Sequence, residues 1–150
     1  MNLNTIKSVG VINGPGSFTG VRTGVIIANT IAYALKIPIY ATDTLTAQIP
    51  VHNNPKNPTF STLPASHTEH YVAKYKNGKI IGKIEIVNNQ DIDAQLLMSN
   101  VHPKVRLKNL LQMILDNKIR PAKQALPLYI KKPNITLSRI KTRTCLRRQV

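Results

Sequence analysis

Apolar positions run together at the start of this chain and then change period. Val9, Val11 and Ile12 crowd into an uninterrupted run, so Ile6–Asn13 reads as a buried strand. A glycine-proline turn follows, and Phe18–Lys36 carries apolar residues at helical spacing, which predicts a long helix. Pro38–Ala41 reads as a second short strand, and Asp43–Gln48 begins another helix with Thr42 or Asp43 as its N-cap. A strand–helix–strand unit of this length implies parallel pairing through a right-handed crossover. Residues 1–49 therefore form one βαβα segment.

Residues 50–66 break the pattern. Pro50, Pro55, Pro58 and Pro64 alternate with Asn and few large apolar side chains, so a loop or linker is expected. Residues 67–130 resume as a shortened second α/β part. His70–Lys76 and Lys79–Val87 flank Asn77-Gly78, a pair suited to the positive φ angles of a type I′ hairpin turn. Asp91–Ser99 and Pro103–Lys118 read as helices, the second with Leu107, Leu110, Leu111 and Ile114 on one face and Pro121 as its stop. Residues 131–150 hold seven Lys/Arg and no acid, which predicts a basic, flexible tail.

Composition sharpens this picture in two places. The 150 residues and 42% hydrophobic content suit a globular fold, but the formal net charge is +15. The excess sits in residues 76–150, with sixteen Lys/Arg against four acids, and a basic surface of that kind attracts polyanions such as tRNA, weakly and in a salt-sensitive manner. One cysteine, Cys145, excludes an internal disulfide and suits a reducing, cytoplasmic setting. The amino-terminal residues do not resemble a secretory signal, and the apolar stretch Val21–Ile39 is interrupted by Arg22, Asn29, Thr30 and Lys36, so no membrane role is expected.

Five of the seven glycines lie between Gly10 and Gly24, at the strand-to-helix junction. A phosphate loop would need Lys-Ser/Thr where this chain has Val21-Arg22-Thr23. A dinucleotide fingerprint would need a shorter spacing than Gly14, Gly16 and Gly20 provide. A turn shaped for packing outweighs direct phosphate contact. Ser17 lacks an assigned base, and His67 with His70 reads as a solvated pair rather than a metal site, so catalytic, cofactor and metal residues are all expected to be none. In the helix, Gly20, Gly24, Ala28 and Ala32 recur every fourth residue as a ridge of small side chains. Such a ridge admits a close neighbour, either the chain's own sheet or a partner's helix.

The run Gly14-Pro15-Gly16-Ser17-Phe18-Thr19-Gly20-Val21-Arg22 resembles the signature of the TsaB (YeaZ) family. Lys36–Ile39, Thr44–Ala47, Ala65–Tyr71 (through Ala65, Glu69 and Tyr71) and Pro127–Lys131 add weaker matches. The resemblance implies a partial actin-like α/β domain (the ASKHA, ribonuclease-H-like class) that looks amino-terminally truncated and lacks the first strands, which would leave the Ile6–Asn13 strand with an open edge. It implies a non-catalytic scaffold subunit for tRNA threonylcarbamoyladenosine modification at position 37. Its partners would be a TsaD-type homologue in a heterodimer and a TsaE-type ATPase, with tRNA contacted indirectly or through the basic tail and homodimerisation also open. Gly20, Gly24, Ala28 and Ala32 become the expected partner interface. The alternatives are a glycoprotease-like hydrolase fragment, a small basic RNA-binding protein, and a degraded relative without function.

Overall fold

The computed structural model describes residues 3–49, 59–76, 79–92 and 101–131. After a 3-10 turn at Leu3–Thr5 come strand β1 (Val9–Ile12), helix α1 (Phe18–Leu35), β2 (Ile39–Thr42) and α2 (Thr44–Gln48). Strands β3 (Thr59–Pro64), β4 (Glu69–Lys76) and β5 (Lys79–Asn88), a 3-10 turn at Asn89–Asp91 and helix α3 (Pro103–Leu115) complete the order.

The expected crossover is present. β1 and β2 are parallel, in register from Val9↔Ile39 to Ile12↔Thr42. Ser17 caps α1 by accepting from the Gly20 N–H. At the other end Lys36 turns left-handed at φ 53°, its N–H meeting Tyr33 O while Ile37 N–H reaches Ala32 O. This is a Schellman closure, the ordinary way to satisfy the last carbonyls of a helix. By length and apolarity alone α1 could cross a bilayer. In this fold its Val25, Ala28 and Ala32 face packs on Val11 and Ile39 of the sheet and on Ala125. The opposite face of β1 carries α3: a Cβ placed on Gly10 would lie 3.2 Å from Leu110 Cδ2 and 3.3 Å from Ile114 Cδ1. The first sheet is thus a two-stranded layer between two helices.

The second sheet is antiparallel, ordered β3-β4-β5, and registers Thr59↔Tyr75 through Pro64↔His70. Its buried face, Leu63, Tyr71, Ala73 and Tyr75, closes on Leu45 and Ile49 at α2. A polar joint links the layers. Gln48 Nε2 donates to Ser61 Oγ at 2.9 Å and to Thr62 O at 3.0 Å, while Arg106 Nη2 donates to Gln48 Oε1 at 3.0 Å. Burial lowers the Arg106 guanidinium from its ordinary value. Burial also raises the Tyr75 phenol, with Asp43 adding to the effect.

Four expectations need correction. The loop expected over 50–66 contains β3, because Thr59, Phe60 and Thr62 favour extended backbone and Pro64 closes the strand; residues 50–58 lie outside the described residues. The first strand is shorter than Ile6–Asn13. The α3 helix stops at Leu115, where Asn117 adopts φ 54°, well before Pro121. Its buried positions are Leu110 and Met113, whereas Leu107 and Leu111 are exposed. Of the helix expected at Asp91–Ser99, Asp91 ends a 3-10 turn and residues 93–99 lie outside the described residues, as do Asn77-Gly78 and the tail from residue 132.

Candidate functional site

The glycine turn is held by backbone. Gly14 has φ 107°, and a Cβ there would come within 2.8 Å of Leu128 O. No L side chain fits that conformation or that space. Thr44 N–H donates to Gly14 O at 2.8 Å, Thr44 Oγ1 to Pro15 O at 2.7 Å, and Leu128 N–H to Asn13 O at 2.7 Å. Asn13 Nδ2 reaches Leu126 O at 2.8 Å. Gly14 and Pro15 are buried, while Gly16, Ser17, Phe18, Thr19, Gly20 and Arg22 are exposed. The Ser17 hydroxyl accepts from Gly20 as a cap.

Separate stretches of sequence meet at this turn. The Phe18 ring stacks on Tyr129, centroids 4.9 Å apart and planes 28° apart. Lys131 pairs with Glu69, whose carboxylate also accepts from Ser66 Oγ at 3.0 Å. The Lys131 ammonium, then the Ser66 hydroxyl, hold the Glu69 carboxyl below its ordinary range. Between them lies a cleft of about 190 Å³, lined by Pro15, Gly16, Phe18, Ala65, Tyr71, Tyr129 and Lys131 among others. The sequence offered no signal for the Phe18–Tyr129 stack, since 111 positions separate the two residues.

The ridge of small residues divides. Ala28 and Ala32 are buried in the chain's own core and are not available to a partner, because the helix turns that side onto β1 and β2. Gly20 and Gly24 are exposed, and a Cβ on Gly24 would meet nothing within 4 Å. With Ile27 and Ile31, which are 53% and 39% exposed, they follow a four-three-four spacing along one stripe of α1. Ile26 and Tyr33 extend the exposed apolar surface. Among the described residues no group of three or more His, Cys, Asp or Glu could hold a metal ion. His70 Nδ1 instead lies 2.7 Å from Asn89 Oδ1.

A strand–glycine turn–helix–strand unit whose two-stranded parallel sheet lies between α1 and α3 defines an α/β domain of the actin-like class, and comparison with known proteins agrees. The family model described as TsaD, tRNA N6-adenosine threonylcarbamoyltransferase, matches residues 1–146, and the chain belongs to that family. The chain is also similar to the tRNA threonylcarbamoyladenosine biosynthesis protein TsaB of Bacillus subtilis, 50% identical over 40 residues, 27% of this chain. That match spans only 18% of the Bacillus protein. YeaZ from Pseudomonas aeruginosa shares the fold at a TM-score of 0.62 and 18% identity, over 86% of this chain and 76% of its own. A second solved structure from Pseudomonas aeruginosa, described as an uncharacterised protein with similarity to peptidase YeaZ, gives the same TM-score and identity over 87% of this chain and 76% of its own.

Proposed function

We propose that the chain is a non-catalytic, cytoplasmic scaffold subunit in threonylcarbamoyladenosine modification of tRNA, binding a TsaD-type transferase as a heterodimer. The observation that carries this reading is the exposed stripe Gly20, Gly24, Ile27 and Ile31, placed on the helix that the family signature opens. An apolar helix stripe with two glycines lets a second helix approach closely and bury isoleucine against it. The name of the Bacillus subtilis relative supports the pathway. A TsaE-type ATPase would join the pair, and the basic tail would touch tRNA at most weakly.

The reading is tested by mixing the purified chain with a TsaD-type homologue and measuring heterodimer formation by sedimentation. The modified nucleoside made from tRNA is then measured by mass spectrometry with the pathway's other components present. Heterodimer formation that is lost in Ile27→Glu, together with lost modification, is the expected result. A chain that stays alone, or one that supports modification equally well with Ile27→Glu, overturns it.

A further inference from the structure

The end of the β4–β5 hairpin gathers charge that nothing around it balances. Residues 74–83 hold Lys74, Lys76, Lys79 and Lys83 and no acid, and all four lysines are exposed. Tyr75 is 2% exposed on the core side, so by strand alternation Lys74 and Lys76 stand on the outer face of the sheet. Lys79 lies directly across from Lys76, and Ile81 directly across from Lys74. Lys83 lies beside them, at the register shift opposite Val72 and Lys74. Like charges directly opposite one another destabilise a strand pair. Among the described residues none of the four lysines forms an ion pair; the carboxylate pairs there are Lys118 with Asp116 and Lys131 with Glu69.

Edge protection accounts for only half of this pattern. β5 ends the order β3-β4-β5, and lysine on an edge strand discourages a further strand from pairing. β4 is paired on both sides, so Lys74 and Lys76 have no edge to protect. The chain's own six acids do not neutralise the face either. Asp43 caps α2, Glu69 and Asp116 are paired, Asp91 ends a 3-10 turn, and Glu85 lies across from Val72, beyond the register shift. The sixth, Asp93, is the one acid in all the segments outside the described residues, so those segments bring a single negative charge against four positive ones.

We infer that this lysine face of the β4–β5 hairpin binds the phosphate backbone of an RNA stem. Same-face residues lie roughly 7 Å apart along a strand and about 5 Å apart across the ladder, so the ammonium groups form one compact cluster able to meet several phosphates together. Phosphate contact needs only charge in that arrangement, whereas holding unstacked bases needs an open aromatic ring. The aromatic ring at this end of the sheet, Phe60, lies across from Lys74, whose Nζ sits 5.7 Å from the ring centroid. The ammonium covers the outward side of the ring, which favours backbone contact over base stacking. The choice of RNA among polyanions rests on the tRNA-modification reading. The charge cluster does not, and it is separate from the α1 stripe.

The probes are a fluorescent RNA hairpin, an unpaired uridine oligomer of equal length, and vesicles containing anionic phospholipid, each mixed with the full chain. RNA binding is followed by anisotropy across a salt series. The stem is expected to bind more tightly than the oligomer. Lys74→Gln, Lys76→Gln, Lys79→Gln and Lys83→Gln together should lower stem affinity roughly tenfold or more at low salt and reduce the log–log salt slope by about 3. A charge-matched control at four other exposed cations, Lys104→Gln, Lys108→Gln, Arg120→Gln and Lys123→Gln, should lose distinctly less. The Lys76→Gln, Lys79→Gln pair alone relieves the opposed charges, so its Tm should hold or rise while the slope falls by about half as much. Equal losses in the control, an unchanged slope in the folded pair variant, or tighter binding of the uridine oligomer overturns the inference. Vesicle binding abolished by the same four changes overturns it as well, by assigning the face to a membrane. No transferase is present in this assay, so loss of stem binding beside an intact heterodimer strikes this inference and leaves the scaffold reading standing.

Discussion

Replacing Gly24 by Leu tests the proposed division of the small residues of α1 between the chain's own core and a partner's helix. Gly24 is exposed in mid-helix, and a Cβ there meets nothing within 4 Å. The isolated chain should therefore accept the larger side chain. Leucine also exceeds glycine in helix propensity by up to about 1 kcal/mol, which in a domain of this size raises Tm by roughly 2–4 °C. At a close helix crossing the same side chain is an intrusion costing about 1–3 kcal/mol, or roughly five- to a hundredfold in partner affinity. Ala28→Leu is the matched control. Ala28 is 6% exposed among Val25, Ala32 and Ile39, so the leucine overpacks the chain's own core and should lower Tm before any partner is added. Calorimetry on each variant, with titration of a TsaD-type homologue into it, gives both quantities. Unchanged affinity in a folded Gly24→Leu chain would falsify the helix-stripe reading, and a lowered Tm in that variant would show that Gly24 is packed internally.

Other expectations follow from particular contacts. Gly14→Ala should destabilise by at least about 1–3 kcal/mol through its φ of 107° and the Leu128 carbonyl at 2.8 Å; wild-type thermal stability would refute the clamp. Gln48→Leu, at 2% exposure, removes its bonds to Ser61 Oγ, Thr62 O and Arg106 and should cost about 1–3 kcal/mol, read from urea unfolding. The folded-state pKa of Glu69 is lowered, so its contribution to stability is fully present above the unfolded value of about 4.3 and fades as pH falls through the lower folded value. Glu69→Gln should flatten that acid limb, and an unchanged limb would show that the Lys131 pairing does not persist in solution. Deleting residues 132–150, which removes Lys132, Arg139, Lys141, Arg143, Arg147 and Arg148, should reduce the salt slope of tRNA binding; an equal slope would clear the tail of phosphate contact.

What the sequence disclosed and what it hid divide along a physical line. Local signals were legible: the Asp43 cap, the α1 period and the glycine turn all depend on residues within a few positions of one another, whereas the Ser17 cap of α1 was not read from the sequence. The parallel β1–β2 pairing was legible because a crossover of this length leaves little choice. β3 was hidden by flanking prolines, which advertise a loop even though a strand between them loses only an edge donor. The α3 face was misjudged because its leucines outnumber the positions the core can cover, and burial went to Leu110 and Met113. Which half of the small-residue ridge would be exposed depended on how α1 rolls on the sheet. That roll is set by Val25 and by the paired bonds between Asn29 and Ala125, 96 positions away.

The signature turn makes sense as architecture before chemistry. Gly14 is required by a left-handed φ beside a carbonyl, Thr44 holds the turn's carbonyls from α2, and Leu128 closes it from the far end of the chain. Each contact fixes where α1 begins, and Ser17 then caps the first turn. A helix anchored in that way presents Gly20, Gly24, Ile27 and Ile31 at a set angle to the sheet. On the proposed heterodimer reading, the signature would serve partner binding through the placement of α1 rather than through contact with a substrate. Stability and affinity should therefore fail together at Gly14 and separately at Gly24.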